Sequence, residues 1–94
     1  MRLVQPTDFL ILDALYREGR NVAPNLAHHT GKIRENINTR LPVLADYGLV
    51  SKVGPAENAG LYEITATGKL AVENEAKYGT VDDFGDFLTQ MDSL

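Results

Sequence analysis

NLAHHTGKIRENINTRLPVLADYGLV, residues 25–50, holds a helix, a tight corner and a second, longer helix in its spacing of apolar residues. Within it Ile33, Ile37, Leu41 and Leu44 recur at i, i+4, i+8 and i+11, the spacing of one apolar helix face, and leave Arg34, Glu35, Asn38 and Thr39 pointing elsewhere. This pattern predicts a helix from about Arg34 to Tyr47, ended by Gly48. Pro42 inside it lacks a backbone N–H and presses on the preceding turn, so a kink or a loosened second half is expected. Before it, Thr30-Gly31 reads as a tight corner in which glycine supplies a positive φ. Asn21-Val22-Ala23-Pro24 reads as a break and a restart, because proline suits the first turn of a helix. A short helix from about Pro24 to His29, with Leu26 and Ala27 inward, is the consequence.

Towards the N-terminus, DFLILDALYREG (residues 8–19) reads as a helix capped by Thr7, with Asp8 favouring its positive end and Gly19 stopping it. Ile11, Leu12 and Leu15 lie on its inner side, while Asp13 and Arg17 face solvent. Beyond Gly48, Leu49–Val53 and Leu61–Ile64 read as two strands joined by the seven-residue tip GPAENAG. Thr65 starts another helix running to about Tyr78, and a last helix begins near Thr80 with Val81, Phe84, Leu88 and Met91 along one stripe. The expected fold is therefore mainly α with a small β-hairpin (α+β): three core helices, a two-stranded wing and C-terminal helices, the order of a winged helix-turn-helix. A domain over 1–78 is followed by an acidic helical tail over 79–94.

The composition narrows the chemistry. The 94 residues contain no cysteine, which removes disulfides, thiolate metal sites and cysteine nucleophiles together. His28 and His29 are neighbours on a helix, so their side chains point about 100° apart, and no third histidine exists to complete a site. Asp82, Asp83 and Asp86 crowd a helix start, where the dipole and solvent explain them. There is no Gly-rich phosphate loop, no paired carboxylates suited to a cleft and no nucleophile beside a base. A non-enzymatic protein with no metal and no cofactor is expected. No apolar run approaches the roughly 20 residues needed to span a bilayer, and the N-terminus lacks the layout of a signal peptide, so a soluble, cytoplasmic chain without a membrane partner is expected.

The formal net charge is -4, but it is unevenly spread. Residues 63–94 carry seven acids against Lys69 and Lys77, whereas from Ala14 to Lys52 there are six Arg or Lys against three acids, a modest basic footprint. The free polar face of the central helix sits in that segment. Arg34 has the fork to bridge guanine O6 and N7, Asn36 or Asn38 the amide to pair with adenine N6 and N7, and Glu35 the acceptor for cytosine N4. Thr39 and Arg40 come next along the face. Lys32 and the N–H groups at the helix starts suit phosphates, as do Arg20 and Lys52. Asn58 at the hairpin tip is a further candidate, although Glu57 beside it repels phosphate.

Leu26-Ala27, the Gly31 turn, Ile37 and the closing Gly48-Leu49-Val50 resemble, in this register, the core of winged-helix transcriptional regulators. More widely, INTRLPVLADYGLV (37–50), GPAENAGLYEIT (54–65) and TGKLA (67–71) are similar to the small regulators related to the haloarchaeal phage phi-H repressor, over roughly residues 8–72. The resemblance implies a repressor of double-stranded DNA whose third helix enters the major groove with its N-terminal half, while the hairpin lies along the backbone or minor groove. The acid surplus and the haloarchaeal likeness together point to a salty cytoplasm, in which counterion release adds little to binding. The competing expectation is a winged-helix module that binds protein, which the overall acidity suits. The stripe on the last helix fits either a homodimer seam or packing onto the first helix.

Overall fold

The computed structural model describes residues 1–54 and 60–93. Its elements in chain order are α1 (Thr7–Glu18), β1 (Asn21–Val22), α2 (Ala23–Thr30), α3 (Arg34–Asp46), β2 (Val50–Val53), β3 (Leu61–Ile64), α4 (Ala66–Glu73), a 3-10 turn (Glu75–Lys77) and α5 (Phe84–Asp92). Among the described residues the chain is mostly helical with one small antiparallel sheet, an α+β arrangement. Residues 55–59 of the hairpin tip, Glu57 and Asn58 among them, lie outside the described residues. None of the described helices is long and apolar enough to cross a membrane.

The sheet has three strands in the order β1-β3-β2, where a two-stranded hairpin was expected. Asn21 pairs with Tyr62 and Val22 with Leu61, so the segment expected only to break the helical pattern also forms an edge strand. Two residues are too few to show a period of two, which is why the strand is silent in the sequence. On the other side of β3, Val50 to Val53 pair with Ile64 to Leu61.

The core gathers one face from every helix. Ile11, Leu12 and Leu15 of α1, Leu26 of α2, and Ile37, Leu41 and Leu44 of α3 are all buried, with Leu49 and Val50 entering from the sheet side. The α3 stripe starts one turn later than expected: Ile33 is the N-cap residue in an extended conformation and is 62% exposed. The helix continues across Pro42 to Asp46 as one element, and Pro42 and Asn38, whose carbonyl the missing N–H would have met, both lie on its exposed side. At the start of α1, Thr7 makes no cap and is itself the first helical residue, while Asp8 is wholly buried.

The C-terminal stripe turns inward. Phe84 and Leu88 are buried in the same core as α1, and Phe84 meets Phe9 and Tyr78 edge-on at centroid separations of 6.2 and 5.2 Å. These two residues are thereby occupied within one chain, which leaves the stripe without its centre as a dimer seam. Asp83, rather than a residue near Thr80, caps α5 by accepting from the Asp86 N–H at 2.9 Å. Tyr78 closes the chain on itself: its hydroxyl accepts from the Leu3 N–H at 2.7 Å and donates to the Leu3 carbonyl at 3.1 Å.

α4 is held against the β2 entrance by Thr65, which caps it by accepting from the Gly68 N–H at 3.0 Å and donates to the Gly48 carbonyl at 2.6 Å. Gly68 is then pressed on the sheet. A Cβ there would overlap the Leu49 carbonyl oxygen and lie 2.6 Å from Ile64 Cγ1. On α1, the exposed Tyr16 hydroxyl donates to the Glu73 carboxylate of α4. That hydrogen bond first, then partial desolvation and the carboxylate's charge, raise the phenol above its ordinary value of 10.0.

Two measurements follow from this packing. Gly68→Ala should lower stability by about 2–3 kcal/mol in urea unfolding, because backbone has to move, whereas Gly79→Ala, with no atom within 4 Å of the added Cβ, should be close to neutral. In a 13C NMR titration Tyr16 should ionise above 10.0, and Glu73→Gln should bring it back towards that value. The folded state holds this proton more tightly than the unfolded chain. The stability it contributes is therefore complete below pH 10.0 and fades as pH rises through the raised folded-state value.

Candidate nucleic-acid interface

Only three residues separate α2 from α3. Gly31 takes the left-handed conformation (φ 74°, ψ 9°), which a side chain would strain, and its N–H closes α2 on the Ala27 carbonyl at 3.0 Å. The Thr30 hydroxyl accepts from the Lys32 N–H at 3.2 Å, fixing the path into α3. With Ile37, Leu41 and Leu44 turned inward, the first two turns of α3 present Arg34, Glu35, Asn36, Asn38 and Thr39 to the exterior, all of them exposed.

At about 100° per residue these five side chains divide into three rows. Glu35 and Thr39 stand outermost. Arg34 and Asn38, one turn apart, flank the sheet and line a groove of about 440 Å³ with Pro24 of α2, Lys52 of β2, and Gly60 and Tyr62. Asn36 lies on the opposite flank and shares a smaller depression of about 180 Å³ with Thr39, Arg40, Val4 and Thr7. The structure thus brings Arg34, Asn38 and Lys52 together on one side and Asn36 with Thr39 on the other. Thr39 donates its hydroxyl to the Glu35 carbonyl at 2.9 Å, which leaves its oxygen free to accept. Lys32 is half-buried in the corner before α3.

Arg40 departs from the expectation that it reads a base edge. Its Nε and Nη2 donate to the two carboxylate oxygens of Asp8 at 2.9 and 2.8 Å, and the Arg40 side chain keeps only 19% of its exposure. Asp8 also accepts from the Val4 N–H at 2.7 Å. The sequence offers no means of separating Arg40 from Arg34, since both are bases on a polar helix face; the partner that does so is 32 positions away. The hydrogen bond to Asp8, together with the attraction of its charge, outweighs desolvation and raises the Arg40 pKa.

Pairing also thins the basic footprint. Arg17 is bonded to Asp13 at 2.9 Å, and Arg20, a phosphate candidate, lies 3.6 Å from Glu63. Both are exposed pairs worth at most about 1 kcal/mol and are easily redirected. Lys32 and Arg34 make no ion pair among the described residues. His28 and His29 are exposed at the end of α2 with ring centroids 5.8 Å apart. Among the described residues no three potential ligands gather in a metal-binding group. Three contributors to the surface escaped the sequence reading: Pro24 of α2 and Tyr62 of β3, which wall the groove, and Ile33, whose spacing from Ile37 disguises a cap position.

Arg40→Ala strands a buried carboxylate and should destabilise the fold by about 3 kcal/mol, as loss of one partner of a buried pair does. Arg34→Ala removes an exposed side chain and should stay within about 0.5 kcal/mol of the parent. Urea midpoints of the two variants separate the structural arginine from the surface one.

Set against family models, curated proteins and solved structures, the chain matches none of them.

Proposed function

We propose that this chain is a cytoplasmic, non-enzymatic winged helix-turn-helix repressor, akin to the regulators related to the haloarchaeal phage phi-H repressor, that binds double-stranded DNA sequence-specifically. The observation that carries the reading is the outer face of α3. Its first two turns hold five exposed polar side chains, anchored from behind by three buried ones and bordered by a groove to which Lys52 of the hairpin contributes.

In this reading the N-terminal half of α3 lies in the major groove. Arg34 bridges a guanine, Asn38 and Asn36 take adenines from opposite flanks, and Glu35 accepts from a cytosine. Lys32 and Lys52 meet phosphates on either side and set the register. β1 supports the arrangement because it bonds the hairpin to the segment that opens α2, so the hairpin and the helix pair present one surface. A second reading, a module that binds protein through the same face, draws on the small number of unpaired cations and on the exposure of Ile33 and Val4, at 62% and 45%.

Selection from random duplexes followed by anisotropy titration decides between them. With two or three phosphates neutralised, log K should fall against log salt with a slope of only about -2 to -3. Arg34→Ala should weaken the selected duplex by roughly 10- to 100-fold, the value of one lost bidentate base contact, with folding intact. Absence of duplex binding at low salt rejects the DNA reading.

A further inference from the structure

The position that opens α3 breaks two local rules at once. An N-cap favours Ser, Thr, Asp or Asn, whose side-chain oxygen accepts from the first-turn N–H groups. Ile33 occupies it with no cap bond. A large apolar side chain also gains by burial, yet Ile33 is 62% exposed, the most of any large hydrophobic residue among those described. It belongs neither to the core cluster nor to the half-buried residues packed on it. Ile37, one turn on, is completely buried, so Ile33 is not the end of the inner stripe but a separate apolar point at the tip of the helix. Sequences are locally consistent except where function takes precedence.

Its neighbours define what it meets. Lys32 and Arg34, which flank it, are cations that make no ion pair among the described residues. An apolar, β-branched side chain between them has one stiff rotamer preference and little freedom to lose on contact. The floor of the major groove offers one apolar group, the C5-methyl of thymine. We infer that Ile33 is a specificity-determining residue that packs against a thymine methyl beside the base contacted by Arg34. This rests on the DNA reading of α3 and adds to it a required base, read by shape and apolarity rather than by hydrogen bonds.

The test uses the full chain and the duplex it selects, with each thymine replaced in turn by deoxyuridine, which removes the methyl and leaves every hydrogen-bonding group. At one thymine the replacement should weaken the parent protein about fourfold, the value of one buried methyl. Ile33→Ala should bind the thymine and deoxyuridine duplexes equally. Ile33→Ser, which supplies the missing cap, should raise Tm by about 4 °C while showing the same loss of discrimination. A selected site that lacks thymine, a protein indifferent to every deoxyuridine, or an Ile33→Ala variant that still discriminates overturns the inference while leaving DNA binding in place. Failure to select any duplex overturns both.

Discussion

The carboxylate of Asp8 is fully removed from water, and the structure around it is arranged to satisfy that one charge. A buried carboxylate without partners is costly enough to unfold a small domain, so it dictates its surroundings. Three donors converge on it: the Val4 N–H from the chain before α1, and Nε and Nη2 of Arg40 from the middle of α3. Because the guanidinium is planar and engages both oxygens, it restrains the rotation of α3 about its own axis as well as its distance from α1. Apolar packing by Ile37, Leu41 and Leu44 tolerates small rotations; a two-pronged hydrogen bond does not. The orientation of the exposed rows on α3 thus depends on a pair whose own groups belong to neither the outermost row nor the row along the sheet.

How far the sequence disclosed this depends on the range of each signal. The α3 stripe was legible because a 3.6-residue period repeats over eleven residues, and the hairpin strands because they flank a Gly- and Pro-bearing turn. The polar candidates Arg34, Asn36, Asn38 and Thr39 followed by subtraction, as the positions left when the stripe is turned inward. Arg40 did not yield to subtraction, since its burial is decided by a residue on another helix. Ile33 matched the period and still fell outside the core, because a helix begins where capping geometry begins and not where the hydrophobic spacing does. The Phe84 and Leu88 stripe was compatible with two destinations, and only the aromatic cluster with Phe9 and Tyr78 selects the internal one.

The thinness of the cationic surface bears on how a face of this kind discriminates. A heavily basic surface binds any duplex through its phosphates and adds sequence preference as a correction. Here three of the arginines are balanced within the chain, as Arg17 of α1, Arg20 just beyond it and Arg40 of α3 each face an acid. On the proposed DNA reading, short-range complementarity then has to supply most of the affinity, and short-range terms are the ones that differ between sequences. The acidic C-terminal third reinforces the effect by disfavouring indiscriminate attachment to polyanions.

The bond between Tyr78 and Leu3 has a consequence for how the molecule can be divided. It joins positions 75 residues apart in sequence, and the segment it fastens is the one whose next residue, Val4, donates to Asp8. A continuous line of contact therefore runs from Phe84 of α5 through Tyr78, Leu3 and Val4 to Asp8 and on to Arg40 in α3. The tail that sequence alone marks off as an acidic appendage is joined in this way, through packing and hydrogen bonds, to the ion pair on α3. Taking α5 away would therefore remove a packing partner of Tyr78, the residue that fastens Leu3 beside the Val4 donor to Asp8.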